Sequence, residues 1–186
     1  MIKSLSKFLS VGAVALGALV APAHAADTIK VGVIGTMSGP YALFGKNYKM
    51  GIDAWVAEHG NKIGNDTVEF VYRDEVSPNP AQSKALAQEL IVKEKVQYIA
   101  GLYFTPNAMA VAPLLQEAKV PMVVLNAATS SITEKSPYIV RTSFTMFQNT
   151  VPAAKVAKQK GAKKVAIAVS DYGPGIDAET AFKKTF

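Results

Sequence analysis

Ile29-Lys30-Val31-Gly32-Val33-Ile34-Gly35, followed directly by Thr36-Met37-Ser38-Gly39-Pro40, is an apolar run that breaks into a small, polar, glycine- and proline-punctuated turn. Residues 29–35 read as a strand. The turn leads to a segment of helical period over residues 45–59, where Tyr48, Ile52, Trp55, Val56 and His59 share one face and Gly60 supplies a stop.

The same alternation continues along the chain, which is the pattern of a parallel sheet with crossover helices in the order β-α-β-α-β-α-β. Residues 68–73 set Val68, Phe70 and Tyr72 against Thr67, Glu69 and Val71, a strand of mild polarity expected toward a sheet edge. Asn79-Pro80 opens a helix with Leu86, Ala87, Leu90 and Ile91 inward and Lys84, Gln88 and Lys93 outward. Residues 96–101 form the next strand. Thr105-Pro106 then reads as N-cap and first-turn proline of a helix whose buried stripe is Ala108, Val111, Ala112 and Leu115. Residues 122–125 are uniformly apolar, as suits a central strand covered on both faces, and residues 138–141 are a weaker strand candidate.

A second cycle starts near Phe147, with a helix to Lys160, a strand over residues 164–169 and a helix from Gly175. Lys158, Lys160, Lys163 and Lys164 surround Gly161, where cations and glycine suit a helix carboxyl end better than they suit a phosphate site. Ala178, Phe182 and Phe186 keep one apolar stripe running to the last residue without a cap, so the chain is expected to continue.

Toward the amino terminus, Lys3 and Lys7 precede the apolar run 8–20 and then Ala23-His24-Ala25, a small-x-small site. That combination predicts a cleaved secretory signal peptide over residues 1–25 and a mature protein from Ala26. The run falls short of the roughly 20 apolar residues that span a bilayer, and no later stretch is long and apolar enough. The chain contains 0 cysteines, which leaves an oxidising compartment nothing to cross-link and gives a lipid anchor no attachment point. The formal charge of +6 falls to +4 once Lys3 and Lys7 leave, and the remaining basic residues interleave with acidic ones, so nucleic acid is not implied.

Ligands of open α/β sheets bind beyond the carboxyl ends of the strands. The first-lobe loops there run from Thr36 to Gly45, from Leu102 to Thr105 and from Asn126 to Ser131, and they hold hydroxyls, small residues and aromatics. Before Lys46 none of the three contains Asp, Glu, Lys, Arg or His. Acid–base catalysis is poorly served by such loops, whereas backbone N–H groups at helix starts with Ser and Thr hydroxyls can hold a small carboxylate. Tyr41, Phe44, Tyr103 and Phe104 could wall an apolar ligand body. A nucleotide-dependent enzyme is the weaker alternative: Gly32-x-x-Gly35 with Ser38-Gly39 has neither dinucleotide nor P-loop spacing. His59, the single histidine after residue 25, is expected on the inward helix face, as a packing or capping residue. Asp74-Glu75 are expected as solvated loop charges rather than as a metal or acid–base pair. No cofactor, metal or catalytic residue is implied.

The stretch from Ile29 to Pro40 with Gly45, the run Val120-Pro121-Met122 with Asn126-Ala127-Ala128-Thr129-Ser130 and then residues 138–141, and Asp171-Tyr172-Gly173-x-Gly175 together resemble the leucine/isoleucine/valine-type periplasmic binding proteins, in the expected order. The resemblance implies a type I periplasmic-binding fold, a parallel sheet flanked by helices. Residues 26–144 would be a first lobe lacking its returning carboxyl-terminal segment, and 145–186 the start of a second. It further implies a monomer in the periplasm that closes its two lobes on a small carboxylate, either a hydrophobic amino acid or an aromatic acid, and delivers it to an inner-membrane ABC permease. A ligand-sensing domain of the same fold is the alternative. By position, Ala128 and Thr129 would meet the ligand carboxylate, with Asn126 and Ala127 as further ligand-binding residues of the same loop. Thr105 would add a hydroxyl, Tyr41 would stand at the cleft edge, and Tyr172 would cover the ligand from the second lobe. The pair Tyr103-Phe104, where the amino acid binders carry small polar residues, resembles relatives that bind aromatic carboxylates.

Overall fold

The computed structural model describes residues 27–186, so the leader expected over residues 1–25 lies outside the described residues. The elements are β1 (Thr28–Gly35), α1 (Ala42–His59), β2 (Lys62–Ile63), β3 (Asp66–Asp74), α2 (Pro80–Val92), β4 (Tyr98–Gly101), α3 (Thr105–Ala118), β5 (Met122–Val124), β6 (Ile139–Arg141), α4 (Met146–Gln159) and α5 (Gly173–Thr185). One sheet takes the order β2-β3-β1-β4-β5-β6. All its pairings are parallel except that of β2 with β3. β1 therefore has β3 on one side and β4, the next parallel strand in the chain, on the other. That is a topological switch point, and the crevice it opens lies at the carboxyl ends of β1 and β4.

The sheet forms because its apolar residues can be covered. Ile34, Ile99, Met122 and Val124 are fully buried and share one core with Leu90 of α2 and Val111, Ala112 and Leu115 of α3. The inward faces expected for α2 and α3 are the buried ones. Asn79 caps α2 by accepting a hydrogen bond from the Gln82 N–H at 3.1 Å, with Pro80 in the first turn. β3 lies one strand in from the edge and is shielded by the two-residue β2, which is too short to carry any period in the sequence. On β3, Arg73 ties the sheet to α2 and the loop after it, donating to Glu89 at 2.9 Å and Glu94 at 2.6 Å.

Four expectations fail, one of which, the cap at Thr105, is described with the site. Trp55 and His59 face outward, with their rings stacked at 5.0 Å and His59 Nδ1 3.1 Å from the Trp55 carbonyl oxygen. Tyr48, Ile52 and Val56 of the same expected stripe are half-buried, so packing covers the stripe along one side only. Residues 164–169 form no strand, and Val165, Ile167 and Val169 are about 40% exposed, because no strand among the described residues lies beside them to pair with their amides. Asp74 and Glu75 are not solvated loop charges; their roles are described with the site. The helix end expected around Gly161 is present: α4 stops at Gln159 and Gly161 adopts φ +78°. α4 opens on a reciprocal capping box between Thr145 and Gln148, and it packs against α5. The connection from β6 to α4 spans residues 142–145.

Candidate ligand site

The loops that leave β1, β4 and β5 collect at one rim of the sheet, and their shape follows from local backbone chemistry. At the end of β4, Gly101 has φ +116°, and a Cβ there would strike the Ile34 backbone. Leu102 follows at φ +61°, a left-handed conformation unusual for a branched side chain, held by its N–H donating to the Ile34 carbonyl at 2.8 Å. This double turn delivers Tyr103 and Phe104 to the rim. On the β1 side, Thr36 Oγ1 donates to the Tyr41 carbonyl at 2.8 Å and fixes the turn that carries Tyr41. The rings then meet: Tyr41 lies edge-on to Phe104 at 4.9 Å and 6.1 Å from Tyr103, while Phe44 stacks on Tyr103 at 3.9 Å. Burial first, then the Tyr172 and Tyr41 phenols nearby, push the Tyr103 hydroxyl above its ordinary value. A cavity of about 330 Å³ opens between these aromatics and the second segment, lined by Tyr41, Tyr103, Phe104, Pro106, Ser170 and Tyr172, with Pro78 at its margin.

Below the aromatics sits a pair of hydroxyls. Thr105 is the first residue of α3 and not its cap; Phe104 holds the cap position, so the Thr105 side chain is free to turn away from the helix. Its Oγ1 lies 2.9 Å from Thr129 Oγ1, and both residues are only 6% exposed. Gly173, at the start of α5, rests on this pair: a Cβ on it would lie 2.5 Å from Thr129 Oγ1. Ala127 is buried, its N–H donating to the Leu102 carbonyl at 3.2 Å, and the Ala128 carbonyl accepts from the Met146 N–H at 3.1 Å. Among the described residues, no acceptor meets the N–H groups of Ala128 and Thr129. Asn126 is half-buried at the head of the same loop. Tyr41, Tyr103, Phe104 and Tyr172 thus line the cavity and Thr105 and Thr129 lie under Gly173, while Asn126, Ala127 and Ala128 form the supporting loop without lining it.

Asp74, the last residue of β3, and Glu75 after it fasten this rim. Their side chains diverge, as neighbours on an extended strand must, but neither is left to water. Glu75 is fully buried and accepts from Ser83 Oγ at 3.0 Å, Asn107 Nδ2 at 2.7 Å and the Tyr103 N–H at 3.1 Å. Burial pushes its carboxyl above the ordinary value although those three donors pull the other way. Asp74 accepts from the N–H groups of Met37 and Val76, each at 2.8 Å. Burial raises its carboxyl, but Ser38 and these N–H groups outweigh it and hold it below the ordinary value. Asp74 thereby holds the β1 loop and Glu75 the β4 loop.

Sequence reasoning missed two further residues. Arg141, at the end of β6, donates from Nη1 to the carbonyls of Thr129 at 2.7 Å and Ala127 at 3.3 Å. Asp177, one turn into α5, accepts at Oδ2 from the Ser130 N–H at 2.6 Å and from Ser130 Oγ at 2.8 Å. Neither belongs to a local motif, so nothing short of the fold could single it out. A larger cavity, about 530 Å³, lies between Lys163, Val165, Ile167, Phe182 and Phe186, along the unpaired stretch of the second cycle and apart from the strand-end loops. Among the described residues there is no His/Cys/Asp/Glu group able to hold a metal and no helix long and apolar enough to cross a membrane.

These features agree with what the chain is similar to. The family described as periplasmic binding protein matches residues 28–186. Leu/Ile/Val-binding protein homolog 6 of Brucella abortus (strain 2308) is 65% identical over 180 residues, covering 97% of this chain and 46% of that relative. The solved solute-binding protein of an ABC transporter from Rhodopseudomonas palustris HaA2, in complex with p-hydroxybenzoic acid, is 96% identical with a TM-score of 0.84, covering 86% of this chain and 44% of that one. The corresponding protein from Rhodopseudomonas palustris BisB5, in complex with 3,4-dihydroxybenzoic acid, is 46% identical with a TM-score of 0.83 and the same coverage. The chain spans a little under half the length of these relatives, and it belongs to the periplasmic binding protein family.

Proposed function

We propose that this chain supplies the first lobe, residues 26–144, and the opening of the second, from residue 145, of the substrate-binding component of an ABC importer for hydroxylated benzoates. After export through its leader, the monomeric protein captures the acid between its lobes in the periplasm, hands it to an inner-membrane permease and performs no chemistry on it. The observation that carries this reading is the aromatic cavity of about 330 Å³ beside the buried Thr105–Thr129 pair. A flat ring fits among Tyr41, Tyr103, Phe104 and Tyr172. Its carboxylate would take the unpaired N–H groups of Ala128 and Thr129 and a threonine hydroxyl, an uncharged set of donors suited to one anion. Asn126 and Ala127 serve by shaping that loop. The two Rhodopseudomonas proteins in complex with hydroxybenzoic acids favour an aromatic acid over an aliphatic amino acid.

Calorimetric titration of the full-length protein tests this. p-Hydroxybenzoate and 3,4-dihydroxybenzoate should bind, and leucine, isoleucine and valine should not. Thr129→Val should weaken binding about tenfold or more, the loss expected for a hydrogen bond to a charged group, while Thr129→Ser should retain most of the affinity. Binding of leucine with no binding of either benzoate would overturn the ligand assignment, and unchanged affinity in Thr129→Val would remove the role given to that hydroxyl.

A further inference from the structure

The peptide bond between Thr129 and Ser130 is held from both ends. Its carbonyl accepts from Arg141 Nη1 at 2.7 Å, and its N–H donates to Asp177 Oδ2 at 2.6 Å. A trans peptide points its C=O and N–H in opposite directions, so the cation of β6 and the anion of α5 stand on opposite sides of the same planar unit. The preceding hold is similar: Arg141 also takes the Ala127 carbonyl, which turns the Ala128 N–H away from the guanidinium. Arg141 belongs to the sheet that carries the ligand loop, and burial depresses its guanidinium while the Asp177 carboxylate acts to raise it. Asp177 belongs to α5, the helix whose first residue, Gly173, rests on Thr129. Ser130 Oγ gives Asp177 a second bond at 2.8 Å, so one carboxylate oxygen receives two donors from a single residue.

We propose that Asp177 is the latch of the closed form: when α5 settles on the ligand loop, its carboxylate takes the Ser130 N–H and hydroxyl against the counter-grip of Arg141, and so sets how long a bound acid is retained. The proposal rests on the two-lobe capture reading above. Asp177 is a positioning residue, since the donors it occupies belong to Ser130, while those left for the ligand belong to Ala128 and Thr129. Its carboxylate is fixed by charge-assisted bonds, which are about twice as strong as neutral ones, and it joins two parts of the chain that share no sheet pairing.

The test uses the full-length protein and p-hydroxybenzoate, with stopped-flow rates. Asp177→Ala should raise the dissociation rate about tenfold or more, the effect of losing a charged hydrogen-bonding partner. The association rate should stay within about twofold, because affinity changes at one interface fall mainly on dissociation. Asp177→Asn, which keeps an acceptor oxygen but no charge, should fall between. Ser130→Ala should have a smaller effect and add little on top of Asp177→Ala. A structural role alone would lower the unfolding midpoint of the ligand-free protein and leave the dissociation rate unmoved; that result overturns the latch. Tighter binding in Asp177→Ala would also overturn it, because the carboxylate would then be a competitor of the ligand anion. If the wild type binds neither hydroxybenzoate, the ligand assignment fails and the latch is still read without ligand. Spin labels at Lys46→Cys and Lys184→Cys should show a smaller closed population in Asp177→Ala, and an unchanged distance distribution overturns the proposal.

Discussion

Residues 29–35 and residues 164–169 look alike as sequence: each is a short, β-prone apolar run that follows a polar segment and precedes a glycine-containing loop. In the folded chain they part company. The first becomes β1, with Val33 and Ile34 fully buried between β3 and β4; the second stays unpaired with Val165, Ile167 and Val169 about 40% exposed. The difference lies in the neighbours. A strand is a shared structure whose amides need partners, and burying its side chains needs covering helices, so an apolar run with neither keeps its composition without acquiring the conformation. The relatives are about twice as long as this chain. We expect the missing neighbours of residues 164–169 in the remainder of the protein.

The sharpest way to break that comparison is a matched pair of truncations. Ile99→Ala in β4 should destabilise the 186-residue chain by about 2–5 kcal/mol in urea unfolding, the range for deleting a buried aliphatic side chain. Ile167→Ala should change it by less than about 0.5 kcal/mol, as at an ordinary surface site. In the full-length protein the second substitution should rise to about 2 kcal/mol or more. Equal effects in the short chain would show that residues 164–169 are already packed.

A second contrast sets Glu75, locked in the first lobe, against Asp177, which reaches from α5. Glu75→Ala should cost about 1–3 kcal/mol, because the Tyr103 N–H, Ser83 and Asn107 lose their common acceptor. The raised carboxyl value has its own signature. Between the unfolded value, near 4.5, and the higher folded value the native state holds more protons than the unfolded chain. Stability owed to the protonated form is therefore complete below the unfolded value and is lost as pH rises through the folded one. Glu75→Gln should flatten that decline in unfolding measured from about pH 4 to about pH 8. A decline of the same slope in the variant would assign it to another group.

The smallest effects should come from the helix caps, one in each region. Asn79→Ala and Thr145→Ala should each cost about 1 kcal/mol. The loss at Thr145 should be the smaller in helicity by circular dichroism, since Thr145→Ala keeps the main-chain N–H that donates to Gln148 Oε1. Identical helicity loss at both sites would show that the box adds nothing to the single cap.

Much of the first lobe was legible because its signals were local. The strand at Ile34, the cap at Asn79, and the stripes through Leu90 and Leu115 all depend on residues within a turn or two. The site was legible as a set of loops, since a parallel sheet puts its strand ends on one rim whatever the residues are. What stayed hidden was set by distant packing. Trp55 and His59 are exposed while Tyr48, Ile52 and Val56 of the same stripe are half-buried, because period marks a stripe and not how far packing covers its sides. Thr105 reads as a cap because Thr-Pro is a frequent helix start, but its hydroxyl meets Thr129, 24 residues away, instead of its own backbone. Glu75 reads as a solvated charge because no nearby residue announces a partner; its three donors come from α2, α3 and the β4 loop. Arg141 and Asp177 share one peptide bond that neither neighbours in sequence.

The bare Cα of Gly173 against the threonine pair carries a last consequence. The spacing between α5 and the ligand loop is gauged by a hydrogen atom, so even a methyl group at that position would press on the Thr129 hydroxyl and act as a doorstop between the two parts. Under the capture proposed above, Gly173→Ala would hinder shutting around a solute more than touching it.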